Sequence, residues 1–212
     1  MAADTPLAFI AGPLVSYLIG GIPFAYIVAR LFGGLDIRRE GSGNVGATNV
    51  GRVMGWRYGI LVFLLDTAKG FMPVYLAIKY FGLGPAHPLI ILCGAGAILG
   101  HTFPVYLGFK GGKAAATSVG VFLVLAPKPI LGGILVWCVV LAITRYVSVG
   151  TMLGAVAFGT LCLYLNPDPF GEGRYLIAVS LTVSFLIILR HKGNIKRLLA
   201  GTEPRLGQDS TG

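Results

Sequence analysis

The sequence predicts an all-α protein that crosses a membrane several times. Hydrophobic residues make up 55% of the 212-residue chain and charged residues only 12%, whereas a soluble domain carries about 25% charge. Several apolar runs reach the roughly 20 residues that an α-helix needs to cross the hydrocarbon core. Lys and Arg outnumber Asp and Glu by 17 to 8 and gather in a few short loops. This composition excludes a disordered chain, a soluble dinucleotide-binding enzyme and a coiled coil.

The apolar runs place the helices. Five clear runs are Pro6–Ala29, Met54–Ile78, Pro88–Phe109, Ser148–Leu165 and Tyr175–Leu189. The stretch 114–144 has 31 residues, too many for one helix, and carries Pro127 and Pro129 around Lys128 near its middle. Such a doubled proline ends a helix, so we expect two short helices there. The prediction is seven transmembrane helices in a single integral-membrane domain over residues 1–212.

The basic residues set the expected topology. With seven helices and the N-terminus outside, thirteen basic residues share one side: Arg30, Arg38, Arg39, Arg52, Arg57, Lys110, Lys113, Arg145, Arg190, Lys192, Lys196, Arg197 and Arg205. The other side holds Lys79, Lys128 and Arg174, and Lys69 lies within a helix. The positive-inside rule identifies the crowded side as cytoplasmic. We therefore predict that the N-terminus is outside and the C-terminus is in the cytoplasm.

The first cytoplasmic loop, residues 40–52, is rich in glycine and short polar side chains. Glycine tolerates positive φ, and successive amides of such a loop can form a nest for an anion. The polar members are Ser42, Asn44, Thr48, Asn49 and Arg52, interleaved with Gly41, Gly43, Gly46 and Gly51. The glycine spacing matches a dinucleotide fingerprint literally, but the loop follows a membrane helix and no βαβ unit exists. The alternative is a flexible polar turn.

The second cytoplasmic loop, residues 108–117, places Lys110 and Lys113 around Gly111 and Gly112, just before a helix. Helix N-termini attract anions through unpaired amides and the helix dipole. The spacing does not fit a Walker phosphate loop. The alternative is that the two lysines only mark the cytoplasmic side of a helix.

The basic segment from Arg190 to Arg205 follows the last predicted span. His191 and Asn194 lie three residues apart on one helical face, and an amphipathic membrane anchor is the alternative. Ser148, at the cytoplasmic start of the sixth helix, could cap that helix or contact a phosphate. Asp66 and Lys69 fall inside the second span, where an i,i+3 ion pair is the favoured interpretation. For His101 at the inner end of the third helix, packed and catalytic interpretations stay equally open.

These three loops are rich in anion-binding groups and poor in acid–base pairs. We expect them to converge at the cytoplasmic surface and to orient phosphorylated substrates, with cations stabilising a departing phosphate. The sequence shows no metal-ligand cluster or cofactor motif, and the positive charge is explained by cytoplasmic loops without nucleic acid. The rival interpretation is a transporter of small phosphorylated anions. It is less favoured because the ionisable groups lie on one side and no inverted repeat is visible.

Several motifs carry a family resemblance. They are Gly41-Ser-Gly-Asn-Val-Gly-Ala-Thr-Asn49 with Arg52, Asp66 with Lys69-Gly70, Gly100-His-Thr-Phe-Pro104, Phe109-Lys-Gly-Gly-Lys113 with Ala116-Thr117, and His191 with Asn194 and Glu203. The chain resembles the bacterial membrane glycerol-3-phosphate acyltransferases that use acyl phosphate, the PlsY family, over most of its length. It departs at Ala114, where the family usually has glycine.

The resemblance implies transfer of a fatty acyl group from acyl phosphate to the 1-hydroxyl of sn-glycerol 3-phosphate, giving lysophosphatidic acid and inorganic phosphate in phospholipid synthesis. It implies a site facing the cytoplasm in a bacterial inner membrane. The implied catalytic residues are Ser42, Asn44, Arg52, Lys110, His191 and Asn194. The implied substrate-binding residues are Gly43, Thr48, Asn49, Gly111, Gly112, Lys113, Thr117, Ser148 and Glu203.

The expected partners are acyl phosphate, glycerol 3-phosphate and membrane lipid, with a soluble enzyme that forms acyl phosphate as a candidate. The His-x4-Asp motif of acyl-CoA acyltransferases is absent from the sequence, which favours a donor other than a thioester. For the hydroxyl proton, the two candidates are His191 and a phosphate oxygen of the donor. The second is favoured because the motifs contain no obvious base-and-orienter pair.

Overall fold

The structure is a computed structural model that describes residues 5–207. Within this range the protein has ten α-helices and no strand, which confirms the all-α prediction. The two chain ends, whose sides of the membrane we predicted, lie outside the described residues. The chain forms two compact units, Met1–Leu125 and Ala126–Gly212, which are described one at a time.

The first unit contains six helices that pack through small residues. They are α1 (Pro6–Gly21), α2 (Phe24–Gly33), α3 (Ala47–Met54), α4 (Trp56–Phe81), α5 (Pro88–Thr102) and α6 (Ala115–Leu125). Helix α1 packs along α5, and α4 packs along α6. A Cβ on Gly20 would collide with the Ala97 backbone, and one on Gly120 with the Thr67 backbone. Such close backbone contact is typical of helices in lipid, where van der Waals packing holds the pair together.

The first predicted helix is wrong in one respect: it is broken. We expected a continuous helix over Pro6–Ala29, but α1 ends at Gly21 and α2 begins at Phe24. Pro23 lies at the break. Proline interrupts a helix because it lacks an N–H donor and its ring clashes with the preceding helical turn. The carbonyl of Ile22 at this break accepts a hydrogen bond from Lys69 Nζ on α4, at 2.7 Å.

The second unit contains four helices: α7 (Pro127–Thr144), α8 (Val147–Leu165), α9 (Arg174–Arg190) and α10 (Lys192–Leu199). Helix α8 packs against both α7 and α9. Our division of residues 114–144 is confirmed, since α6 ends at Leu125 and α7 begins with Pro127. Proline is favoured at a first helical position because the missing N–H would have no partner in the helix.

The described helices support several membrane crossings. Five segments are long and apolar enough to span: Pro6–Gly33, Trp56–Phe81, Pro88–Leu107, Pro127–Thr144 and Val147–Leu165. A sixth arises if α9 and α10, which meet at 49°, count as one span. Helix α6 has 11 residues and a length of about 16 Å, about half the thickness of the hydrocarbon core. The protein is thus multi-pass, with five or six segments that are long and apolar enough to span; the predicted count of seven would require α6 to be a further, short span.

Candidate active site

The first cytoplasmic loop is held by a buried side chain, Asn49 of α3. Asn49 is 1% exposed. Its Oδ1 accepts a hydrogen bond from the Ser42 amide at 2.9 Å, and its Nδ2 donates to the carbonyls of Glu40 and Ile37 at 3.0 and 3.3 Å. Gly41 and Gly43 adopt φ of +55° and +68°, the left-handed region that costs glycine little. Asn49, predicted to bind substrate, therefore shapes the loop in this structure.

Around this support the loop presents short polar side chains. Ser42 is exposed, and Asn44 and Thr48 are half-buried. Among the described residues, no hydrogen bond engages the side chain of Ser42 or Asn44. Thr48 and Arg52 are four residues apart on α3 and so share one face of that helix. Arg52 is half-buried and already has a contact within the protein.

Just before this loop, Arg38 and Asp36 form an ion pair. Arg38 donates two side-chain hydrogen bonds to Asp36, at 2.9 and 2.7 Å. These bonds lower the pKa of the Asp36 carboxyl to about 2, so it stays ionised at neutral pH. Arg38 also lies 5.0 Å from the centre of the Tyr26 ring.

The second cytoplasmic loop folds back onto the end of α5. The Gly112 amide donates to the carbonyl of His101 at 3.1 Å, and the Gly111 amide donates to that of Thr102 at 3.2 Å. A Cβ on Gly111 would collide with the His101 carbonyl, and one on Gly112 with the His101 ring. In this conformation both amides are therefore already paired with carbonyls at the end of α5. An anion would compete for those two donors.

Beyond these glycines the loop offers two lysines and then enters α6. Lys110 is exposed, and no hydrogen bond or ion pair engages its side chain within residues 5–207; Lys113 is half-buried. Ala114, where the family usually has glycine, is fully buried with φ of +70°. Thr117, predicted to bind substrate, is also fully buried: its backbone packs against Gly70 of α4, and its hydroxyl has no hydrogen-bond partner in the described part of the chain. In this structure Thr117 is an interior residue.

A buried charged cluster lies beside the second loop. Lys69 Nζ is 2.8 Å from Asp66 Oδ1, which confirms the favoured ion-pair interpretation. The Nδ1 atom of His101 is 3.8 Å from the same oxygen, close enough for an ion pair and too far for a hydrogen bond. A small pocket opens at this cluster, bordered by Val45 of the first loop and Gly112 of the second.

Sequence reasoning placed Asp66 and Lys69 together, but it did not place them next to the second loop. The spacing of three residues on α4 gave the ion pair. Their approach to His101 depends on how α4 packs against α5, and no local pattern encodes that packing.

In the second unit, Glu203 contacts two predicted site residues and one further cation. It is 4% exposed and accepts hydrogen bonds from Ser148 Oγ (2.8 Å), Asn194 Nδ2 (2.7 Å) and Arg197 Nε (2.8 Å). Burial raises the pKa of its carboxyl, but the three hydrogen bonds favour the charged form, and the net pKa is lowered. Ser148 and Asn194, predicted to contact substrate, thus both donate to a buried carboxylate here.

His191 lies at the junction of α9 and α10. It is 5% exposed, and its Nδ1 is 2.7 Å from the carbonyl oxygen of Ile187. Because a carbonyl can only accept, Nδ1 carries the hydrogen of this bond, and any base chemistry would fall to Nε2. The following segment is fixed by two bonds between Arg145 and Leu206, at 2.7 and 2.9 Å. It is therefore a packed structure rather than only an amphipathic anchor.

Comparison with known proteins agrees with the fold and the motifs. The family model for glycerol-3-phosphate acyltransferase matches residues 10–201. The chain is 44% identical over 192 residues to a glycerol-3-phosphate acyltransferase of Syntrophotalea carbinolica, covering 91% of this chain and 94% of that protein. It is 41% identical over 199 residues to one of Trichlorobacter lovleyi, covering 94% and 96%.

Two solved structures are also similar. One is PlsY, an integral membrane glycerol 3-phosphate acyltransferase, in its glycerol 3-phosphate form, with a TM-score of 0.85 and 39% identity over 94% of this chain and 96% of that one. The other is PlsY in its lysophosphatidic acid form, with a TM-score of 0.81 and 38% identity over 94% and 95%. The chain belongs to the glycerol-3-phosphate acyltransferase family.

Proposed function

We propose that this protein transfers a fatty acyl group from acyl phosphate to the 1-hydroxyl of sn-glycerol 3-phosphate, as a step of phospholipid synthesis. The products are 1-acyl-glycerol 3-phosphate, which is lysophosphatidic acid, and inorganic phosphate. The observation that carries the proposal is the exposed Lys110 on the family's lysine–glycine turn, whose side chain has no hydrogen bond or ion pair with any described residue. The acceptor and the acylated product also match the forms in which the similar PlsY structures are described.

The chemistry needs little from the protein beyond binding and orientation. The glycerol hydroxyl oxygen attacks the acyl carbon, the bond from that carbon to the phosphate oxygen breaks, and phosphate leaves with the electron pair. The hydroxyl proton passes to a phosphate oxygen of the donor, so the reaction is substrate-assisted. Cationic side chains stabilise the negative charge on the departing phosphate. The alternative base is His191: because its Nδ1 donates to the Ile187 carbonyl, its Nε2 would take the proton.

Candidate residues for the proposed reaction lie in both units. In the first unit we assign catalysis to Ser42, Asn44, Arg52 and Lys110, and substrate binding to Gly43, Thr48, Gly111, Gly112 and Lys113. Asn49 and Thr117 support this unit from its interior. In the second unit we assign catalysis to His191 and Asn194, with Ser148 and Glu203 holding Asn194 in place.

The reaction is tested with purified protein in liposomes, supplied with acyl phosphate and glycerol 3-phosphate. We expect equal amounts of phosphate and lysophosphatidic acid, and no product when acyl-CoA replaces acyl phosphate. Lys110→Ala should lower kcat/KM by about 10²–10³-fold, whereas the exposed control Lys128→Ala should not. A wild-type protein that moves glycerol 3-phosphate across the liposome membrane without releasing phosphate would instead support a transporter.

We further propose that the protein is a single domain of seven spans in a bacterial inner membrane, with α6 as the short fourth span. The N-terminus would lie outside, and the C-terminus and the active site would face the cytoplasm. The thirteen basic residues on one side support this orientation. A C-terminal fusion to a reporter that is active only in the periplasm should stay inactive. An active fusion would contradict the proposed orientation.

A further inference from the structure

A buried charged cluster in the first unit has no assigned role in the proposed reaction. Asp66 is 1% exposed and Lys69 5%. Their ion pair is tied to the break in the first span, because Lys69 Nζ also donates to the Ile22 carbonyl at 2.7 Å. Two charges that are buried in the protein in this way are costly unless they are paired. The ion pair therefore has a fixed position, against which neighbouring segments can pack.

The ring of His101 lies between this cluster and the second loop. Its Nδ1 faces Asp66 Oδ1 at 3.8 Å. Its other edge, Nε2 and Cε1, occupies the space that a Cβ on Gly112 would need. His101 is 6% exposed, so its ring is enclosed by protein on almost all sides.

The backbone reinforces the same connection. The carbonyls of His101 and Thr102 accept the amides of Gly112 and Gly111. The first loop meets this point too, since a Cβ on Gly112 would lie 2.9 Å from the Val45 carbonyl oxygen. The turn that carries Lys110 and Lys113 thus rests on the His101 ring and on the residues around it.

We propose that His101 is a positioning residue, which transmits the fixed position of the Asp66–Lys69 pair to the Gly111–Gly112 turn and so places Lys110 for phosphate binding. This inference rests on the proposed function, because Lys110 is the group through which His101 acts. An error of about 1 Å in the placement of such a group can lower the rate by about 10²-fold.

A double-mutant cycle between His101 and Lys110 tests the proposal. We expect His101→Leu to lower kcat/KM by about 100-fold, mainly through a higher KM for glycerol 3-phosphate. In a Lys110→Ala background, the same change should lower it by less than about threefold, because the residue through which His101 acts is already gone. His101→Asn keeps a nitrogen donor toward Asp66 and should recover part of the loss.

The matched control is Val74→Ala, which creates a cavity on α4 away from the second loop. We expect it to lower the melting temperature about as much as His101→Leu while kcat/KM stays near that of the wild type. If His101→Leu lowers kcat/KM by the same factor in the wild type and in the Lys110→Ala variant, the proposal is overturned. If His101→Leu is not recovered folded, His101→Asn replaces it in the cycle under the same criterion.

Calorimetry with inorganic phosphate, repeated over the four proteins of the cycle, keeps the two proposals separate. A wild-type protein that binds phosphate but transfers no acyl group contradicts the proposed function, and the phosphate affinities still decide the role of His101. Non-additive losses of phosphate affinity support positioning, and additive losses contradict it.

Discussion

At the scale of single residues, several predicted substrate contacts serve as internal supports. Asn49 holds the Ser42 turn through three hydrogen bonds, and Glu203 collects donors from Ser148, Asn194 and Arg197. In the sequence, a residue that supports a loop cannot be told from one that binds a ligand, because the same amide or carboxylate side chain serves either role. The hydrogen-bond partners of such residues become visible only in the structure.

Glu203 gives a prediction about pH. Its lowered pKa means that its hydrogen bonds contribute fully to stability above the ordinary glutamate pKa of 4.5, and that this contribution is lost as the pH falls through the lower, folded-state value. We expect Glu203→Gln to have a lower melting temperature than the wild type at pH 7, with the difference shrinking below pH 4.5. Thermal unfolding in detergent measures this, with the exposed Glu172→Gln as control. A difference independent of pH would contradict the assignment.

Ala114 gives a second residue-scale prediction. Its φ of +70° lies in the left-handed region, which costs an L-residue roughly 1–2 kcal/mol and a β-branched residue more. Because Ala114 is fully buried, Ala114→Val should be poorly tolerated and lower the free energy of unfolding by about 2 kcal/mol or more. Ala114→Gly should stay within about 1 kcal/mol of the wild type. Ala116→Val, within α6, is the control; equal effects at the two positions would refute the backbone explanation.

At the scale of helices, close backbone contact replaces the usual interlocking of large side chains. Gly70 of α4 packs against the Thr117 carbonyl, and Gly120 of α6 packs against Thr67. This contact explains how a helix of 11 residues can be held at a fixed position beside one of 26. Among the described helices, α4 and α6 form one of the tightest pairs.

The α4–α6 contact gives a prediction about packing. Gly120→Ala adds a methyl group where the Thr67 carbonyl stands, and we expect it to lower the free energy of unfolding by about 1–3 kcal/mol. Gly193 of α10 is the matched control, because the nearest atom to its added Cβ is an Arg197 side-chain nitrogen at 3.7 Å. Gly193→Ala should leave stability unchanged or raise it by up to about 1 kcal/mol. Comparable losses in both variants would contradict backbone contact as the cause.

The helices were largely predictable from the sequence, whereas their interruptions and contacts were only partly so. Length and hydropathy located the apolar segments, and the prolines at 127 and 129 located the boundary between α6 and α7. Pro23 broke the first helix, although Pro13 and Pro73 lie inside intact helices. Neighbouring helices can compensate for a proline in one place and not in another, so the residue type alone does not decide the outcome.

At the scale of the whole molecule, the net charge of +9 bears on how anionic substrates arrive. Clustered cations attract anions over distances set by the Debye length, which falls from about 30 Å at 0.01 M salt to about 3 Å at 1 M. We expect added salt to raise KM for glycerol 3-phosphate severalfold while kcat changes little. Steady-state kinetics in liposomes at several concentrations of sodium chloride measures this. A KM that does not respond to salt would mean that long-range attraction contributes nothing.

For the candidate site, the positions of the polar loops were predictable from the sequence, whereas their contacts with distant segments were not. The loops that carry Ser42 and Lys110 follow from composition and motif, because glycine and short polar residues cluster there. The pairing of the Gly111 and Gly112 amides, and the closeness of His101 to Asp66, arise from the approach of segments that are distant in sequence. Such approaches depend on the packing of whole helices.

The bond between Lys69 and the Ile22 carbonyl joins two positions that a genetic change would normally alter one at a time. A chain that exchanged Pro23 for a helix-forming residue could straighten its first span and draw that carbonyl into regular helical bonding. The ammonium group of Lys69 would then lose an acceptor in the protein interior. A neutral residue at position 69 would in turn leave Asp66 with an uncompensated charge. The proline, the lysine and the aspartate are therefore energetically coupled, and a change at one of them alters the cost of changing the other two.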